Sequence, residues 1–132
     1  MKIKYNNART LFATAQLDWL TDDFVLVLLS SAYSPNAAHV SMADVPAFAV
    51  LAESPLLTGK TVVNGFCRFA PVEFLLLSTP QPVAGVAIYR DAVLPADQLL
   101  VYFTDEGYGL PFTPQALDYV IAHDLGTGAF RV

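Results

Sequence analysis

The chain is poor in charge and nearly without sulfur chemistry. Charged residues make up 14% of its 132 residues, against about 25% in ordinary soluble domains, so charge alone does not cover its surface and some apolar surface is left to meet another chain. A single cysteine, Cys67, excludes an intrachain disulfide and a thiolate metal cluster; unpaired cysteine is among the most buried residue types, which predicts a buried free thiol. The seven basic residues are scattered from Lys2 to Arg131 and the net charge is −5. No basic patch is visible and no nucleic acid is expected as a direct partner. Long apolar runs are missing too. The longest, 24–29, has six residues where a membrane-spanning helix needs about 20, so no membrane partner is expected. The opening Met1-Lys2-Ile3-Lys4-Tyr5-Asn6-Asn7 lacks the apolar stretch and cleavage site of a secretory signal. The expectation is a chain made and kept in the cytoplasm.

Catalytic signatures are equally scarce. The two histidines, His39 and His123, stand in no nucleophile–base motif, and neither a G-x-S-x-G elbow nor a phosphate loop occurs. Gly107-Tyr108-Gly109 lacks the third glycine and the following helix of a dinucleotide fingerprint and reads as a turn. Asp22-Asp23, Asp105-Glu106 and His123-Asp124 are adjacent pairs. In a strand, neighbours point to opposite faces, so each pair offers one ligand rather than two. The expectation is no enzyme, no metal and no cofactor.

What is present is apolar and punctuated. Hydrophobic residues reach 55% and mean hydropathy is +0.47, with nine prolines and seven glycines that leave little room for long helices. Asn6 or Asn7 as N-cap, followed by Ala8, Leu11, Phe12 and Ala15, predicts a short amphipathic helix within 6–17. The branched run 24–29 behind Asp22-Asp23 predicts a strand covered on both faces. Polar residues and prolines across 30–46 predict a long loop with one helical turn near 42–45. Loops of that length in compact domains tend to be functional or ordered by a partner. Short strand-like runs follow at 47–52, 60–69, 72–77, 83–89, 99–104, 116–121 and 129–132, separated by turn residues including Asn64-Gly65; 117–124 also fits helical spacing through Leu117, Val120, Ile121 and Leu125. One domain over 1–132 is expected, mainly β, as a β-sandwich with the jelly roll as its variant and a short N-terminal helix.

Aromatic residues reach 12%. Most belong in a core, but Tyr33, Tyr108 and Phe112 fall in turn-rich segments, where an aromatic ring serves equally as interface anchor or local packing. With Tyr5 in the N-terminal segment and Pro35 and His39 in the long loop, they form the set of interface candidates. The N-terminal segment, the long loop and the final strand are where intersubunit contacts are expected, by strand addition or aromatic anchoring.

Leu17-Asp18-Trp19-Leu20-Thr21-Asp22-Asp23, Tyr33-Ser34-Pro35-Asn36-Ala37-Ala38-His39 and Ala43-Asp44-Val45-Pro46, taken in order, resemble a family of small tailed-bacteriophage virion proteins. The resemblance continues through Leu57-Thr58-Gly59-Lys60-Thr61-Val62, through 83–91, and through 102–114, and spans residues 8–121; 119–132 follows no family pattern. It implies a structural protein of the virion: a decoration or cement protein on the outside of the head, partnered with the major capsid protein and with itself as a dimer or trimer. Tail- or fibre-associated components share the same features. A carbohydrate-binding β module is the alternative of another class; it would need Trp19, Tyr33 or Tyr108 as an exposed platform. The resemblance carries no catalytic residue and implies only that the loop 33–46 and the segment 107–114 are conformationally constrained.

Overall fold

In a computed structural model that describes residues 1–122 and 129–131, the chain runs β1 (Lys2–Lys4), α1 (Asn6–Ala13), β2 (Phe24–Leu29), β3 (Val50–Leu56), β4 (Thr61–Val63), β5 (Phe66–Arg68), β6 (Val72–Leu77), β7 (Gly85–Arg90), β8 (Leu100–Thr104), β9 (Leu117–Ile121) and β10 (Phe130–Arg131). Strand accounts for 40% and helix for 14%, so the chain is mainly β with one short helix. Among the described residues the strands form three antiparallel sheets: five strands in the order β1-β8-β7-β2-β3, three in the order β10-β5-β4, and the pair β6-β9.

The apolar run Phe24–Leu29 becomes β2, with all six side chains buried, and lies between β7 and β3. The next two strands on one side, β7 and then β8, are buried almost throughout. An antiparallel sheet with one wet face alternates apolar and polar residues; here the alternation is lost because both faces are covered. On the face carrying Phe24 and Tyr102, Phe12, Trp19 and Phe130 close over the sheet. The Phe130 ring stacks on Tyr102 at 5.3 Å and meets Trp19 edge-on at 5.3 Å, and Trp19 lies 4.7 Å from Phe24. On the opposite face Tyr33, from the long loop, meets Phe103 edge-on at 5.7 Å. Gly85 makes room there: a Cβ at this position would stand 2.6 Å from Cε2 of Phe103. One buried apolar cluster runs from Tyr5 to Phe130 and draws on all three sheets.

Local chemistry explains where the elements differ from the sequence expectation. Helix α1 stops at Ala13 because Ala15 turns left-handed (φ 58°), which lets the Gln16 and Leu17 amides close back on the Leu11 carbonyl at 2.8 and 3.2 Å; this is the αL ending common to helix C-termini. The N-cap position falls to Tyr5 rather than to Asn6 or Asn7, with no side-chain cap, and the Asn6 amide donates instead to the Ala37 carbonyl at 2.9 Å. The run 47–52 divides into a 3-10 turn at Ala47–Ala49 and β3. The run 60–69 is a hairpin, β4 to β5, whose Asn64-Gly65 tip takes positive φ at both residues (52° and 81°), the signature of the two-residue turn that matches strand twist. The segment Leu117–Ile121 is strand, not helix; 123–125 lie outside the described residues. β1 and β10, expected as intersubunit contacts, pair within the chain, with β8 and β5 respectively. Among the described residues no helix is long and apolar enough to cross a membrane.

Candidate docking surface

The interface candidates separate by burial. Tyr5 is 0% and Tyr33 5% exposed, so neither is a surface anchor; each packs inward because it stands where helix and loop cross the edge of the five-stranded sheet. Their hydroxyls are 2.9 Å apart, and the Tyr33 hydroxyl is 2.9 Å from Nδ1 of half-buried His39. This hydrogen-bonded chain ties the start of α1 to the loop 30–46. Burial, and then the hydrogen bond to Tyr33, pushes the Tyr5 phenol far above its ordinary range, and burial raises Tyr33, so both stay neutral donors and acceptors. The loop is pinned again at its far end. Asp44 accepts the Val40 and Ser41 amides at 2.8 and 3.2 Å, which holds its carboxyl below the ordinary carboxylate value, and Ser41 closes a capping box over the turn Met42–Asp44.

Pro35, Tyr108 and Phe112 are half-buried. Tyr108 sits at φ 54° between Gly107 at 71° and Gly109 at 76°, a turn of three left-handed residues, with its phenol raised first by burial and then by the neighbouring Tyr102. Phe112 exchanges both main-chain hydrogen bonds with Val83 and stacks at 5.1 Å on Tyr119, which locks the 107–114 segment against β9. Trp19, 3% exposed, donates its indole N–H to the Arg68 carbonyl at 3.1 Å. With Trp19 and Tyr33 buried, those rings form no platform for a sugar. The segments 17–23 and 57–62 meet through Lys60, whose ammonium donates to the Asp22 carbonyl and lies 5.1 Å from the Phe24 ring centre.

The surface that sequence reasoning missed is on the β6-β9 ribbon. Val72, Phe74 and Leu77 of β6 and Ile121 of β9 face the core, while Leu75 (69% exposed), Leu76 (73%) and Val120 (63%) face out; Leu117 (59%), opposite Leu77 and in step with Tyr119 and Ile121, is exposed at the end of the core-facing row. The register jumps between Phe74 and Leu77. Leu76 is held at φ 46° with its amide donating to the Asp118 carboxylate at 2.9 Å, a bulge that turns two consecutive leucines outward. The signal lay in Leu75-Leu76-Leu77, since three successive leucines in a strand cannot all face one core. Phe48 (74% exposed), Val93 (95%) and Leu94 (60%) add apolar surface elsewhere.

Groups capable of chemistry are dispersed or engaged. Burial pushes the Cys67 thiol up to about 12, so it carries almost no thiolate at neutral pH. Asp22 accepts the Asp18 amide, and Asp105 and Glu106 hold the amino group of Met1; His123-Asp124 lies outside the described residues. Among the described residues no three His, Cys, Asp or Glu side chains stand close enough together to hold a metal ion. No protein-family model matches the chain, and it has no match among curated proteins or solved structures.

Proposed function

We propose that this chain is a structural protein that works by docking onto other subunits, as a decoration or cement protein on the outside of a tailed-phage head. The observation that carries the reading is the outward ribbon face, where Leu75, Leu76 and Val120 stand exposed on a strand pair whose other face packs on the core. Exposed apolar side chains on a strand face, with Glu73 and Asp118 beside them, mark an interaction site. The occupant is a shell subunit, an assignment supported by the ordered motifs between residues 8 and 121 that resemble small virion proteins. In the same reading the five- and three-stranded sheets, in contact through Tyr102 and Phe130, are the two layers of a sandwich. The chain acts as a dimer or trimer seated on lattice axes. A protein that binds only the mature lattice stabilises it by its binding free energy, and symmetric copies multiply a modest contact.

Cryo-electron microscopy of the particle that carries the chain tests this. Density at the lattice axes of the head, with the ribbon against the shell and lost in a Leu75→Glu, Leu76→Glu variant of unchanged melting temperature, is the expected result. Density confined to the tail moves the chain to a tail or fibre component, and absence from the particle overturns the virion assignment.

A further inference from the structure

A second surface has a different chemistry. Although the chain carries a net charge of −5, three of its cations gather around one groove of about 230 Å³, where Lys2, Lys4 and Arg131 surround Phe66, Tyr102 and Phe130. The groove lies between two sheet ends, because β1 is the terminal strand of the five-stranded sheet and β10 that of the three-stranded one. Lys4 Nζ spans it to the Arg131 carbonyl at 3.0 Å, and the Arg131 guanidinium lies 5.2 Å from the Phe66 ring centre. Among the described residues none of the three cations has a carboxylate partner. The nearby Asp105 and Glu106 are taken by the amino group of Met1.

The main chain points the same way. The Tyr5 amide donates to the Val101 carbonyl and the Asp105 amide to the Met1 carbonyl, both at 3.2 Å, with Ile3 opposite Phe103. Antiparallel pairing alternates along a strand, so Met1, Ile3 and Tyr5 turn their main-chain groups toward β8. Lys2 and Lys4 turn theirs outward, to the free edge. The two residues that put ammonium groups at the groove therefore also offer N–H and C=O groups that are unpaired among the described residues and that an added strand needs.

We propose that this edge receives an extended acidic segment of a partner protein, which pairs with β1 as a sixth strand and sets its carboxylates among Lys2, Lys4 and Arg131. The proposal rests on the docking reading above and names the chemistry of a second contact. A second copy of β1 is a poor occupant, since lysine would face lysine; edge lysines keep identical edges apart. A nucleic acid has no use for the open main-chain edge, and beyond the groove it would meet a negatively charged protein.

The test is fluorescence anisotropy with a labelled short peptide alternating Glu and Val, at low ionic strength, together with amide shifts of the full chain by NMR. Binding is expected, with shifts at Lys2, Lys4 and the flanks of β10, weakened by added salt and by a proline at the centre of the peptide. A K2E/K4E variant, whose exposed positions leave the melting temperature unchanged, should bind about tenfold or more weakly, because like charges then face each other. No binding, equal binding of a Lys–Val peptide, or binding indifferent to K2E/K4E each overturns the proposal. These failures are distinguishable from failure of the docking reading, which is decided by where the chain sits on the particle and by Leu75 and Leu76. If the peptide binds and the chain is absent from any head, the groove stands and the virion assignment falls.

Discussion

Strands β2 and β6 are both six residues long and read almost alike, Phe-Val-Leu-Val-Leu-Leu against Val-Glu-Phe-Leu-Leu-Leu, yet every side chain of β2 is buried while Glu73, Leu75 and Leu76 of β6 face out. Their position in the topology makes the difference. β2 has a strand on each side and a layer on each face: the Trp19 and Phe130 cluster on one, the long loop on the other. β6 is paired with β9 in a two-strand ribbon and buries one face. Apolar composition thus builds a scaffold where layers exist on both sides, and the same composition becomes a contact surface where one layer is missing.

The comparison makes its largest claim about stability. Leu28→Ala, at a fully buried site, should cost about 2–5 kcal/mol through lost burial and the cavity left behind, whereas Leu75→Ala should stay within about 0.5 kcal/mol. Urea denaturation of the isolated chain measures both. Equal losses would mean that the ribbon is as integral to the core as β2, and the contrast would be gone. A smaller effect of opposite sign sharpens it at the bulge. Leu76 at φ 46° bears a left-handed cost of about 1–2 kcal/mol, and glycine removes that at an entropic cost of about 0.5–1 kcal/mol. Leu76→Gly should therefore raise stability by about 0.5 kcal/mol, while Leu75→Gly should lower it. If Leu76→Gly destabilises instead, the leucine side chain is held by the fold rather than held out for a partner.

Much of this was legible along the chain, for physical reasons that also mark the limit. An unbroken apolar run behind Asp22-Asp23 announces β2, and Asn64-Gly65 announces the hairpin, because few other conformations suit those residues. β1 was invisible, as three residues are too few to show an alternation. The exposed leucines were hidden because burial on a strand depends on which layers lie over it, a tertiary property. For the same reason Tyr5 and Tyr33 looked like anchors from their place in irregular segments, although the fold turns both inward onto each other. Pro35, His39, Tyr108 and Phe112 are half-buried, a degree of burial that sequence order does not display. The Lys2, Lys4 and Arg131 grouping joins opposite ends of the chain, and no local pattern carries it.

The smallest expected effect concerns the covering layer itself. If β2 is buried because the loop 30–46 lies over its sheet, loosening that loop should begin to erase the difference from β6, and Asp44 is the carboxylate in its restraint. Its carboxyl is held below the ordinary value by the Val40 and Ser41 amides. A carboxylate depressed in the folded state adds stability that is present above its unfolded value, near about pH 4, and disappears as pH falls through the lower folded value. Because Asp44 is exposed, solvent screening keeps its contribution to about 0.5 kcal/mol. Wild type should therefore melt slightly higher than Asp44→Asn near neutrality, and the gap should close as pH falls below the unfolded value near about 4, with amide exchange at Val40 and Ser41 accelerating over the same interval. A gap that persists at the acid end would show that the Asp44 side chain holds the loop through its shape or its capping geometry rather than through its charge. A gap that was absent at neutral pH would show that Tyr5, Tyr33 and His39 hold the loop without it.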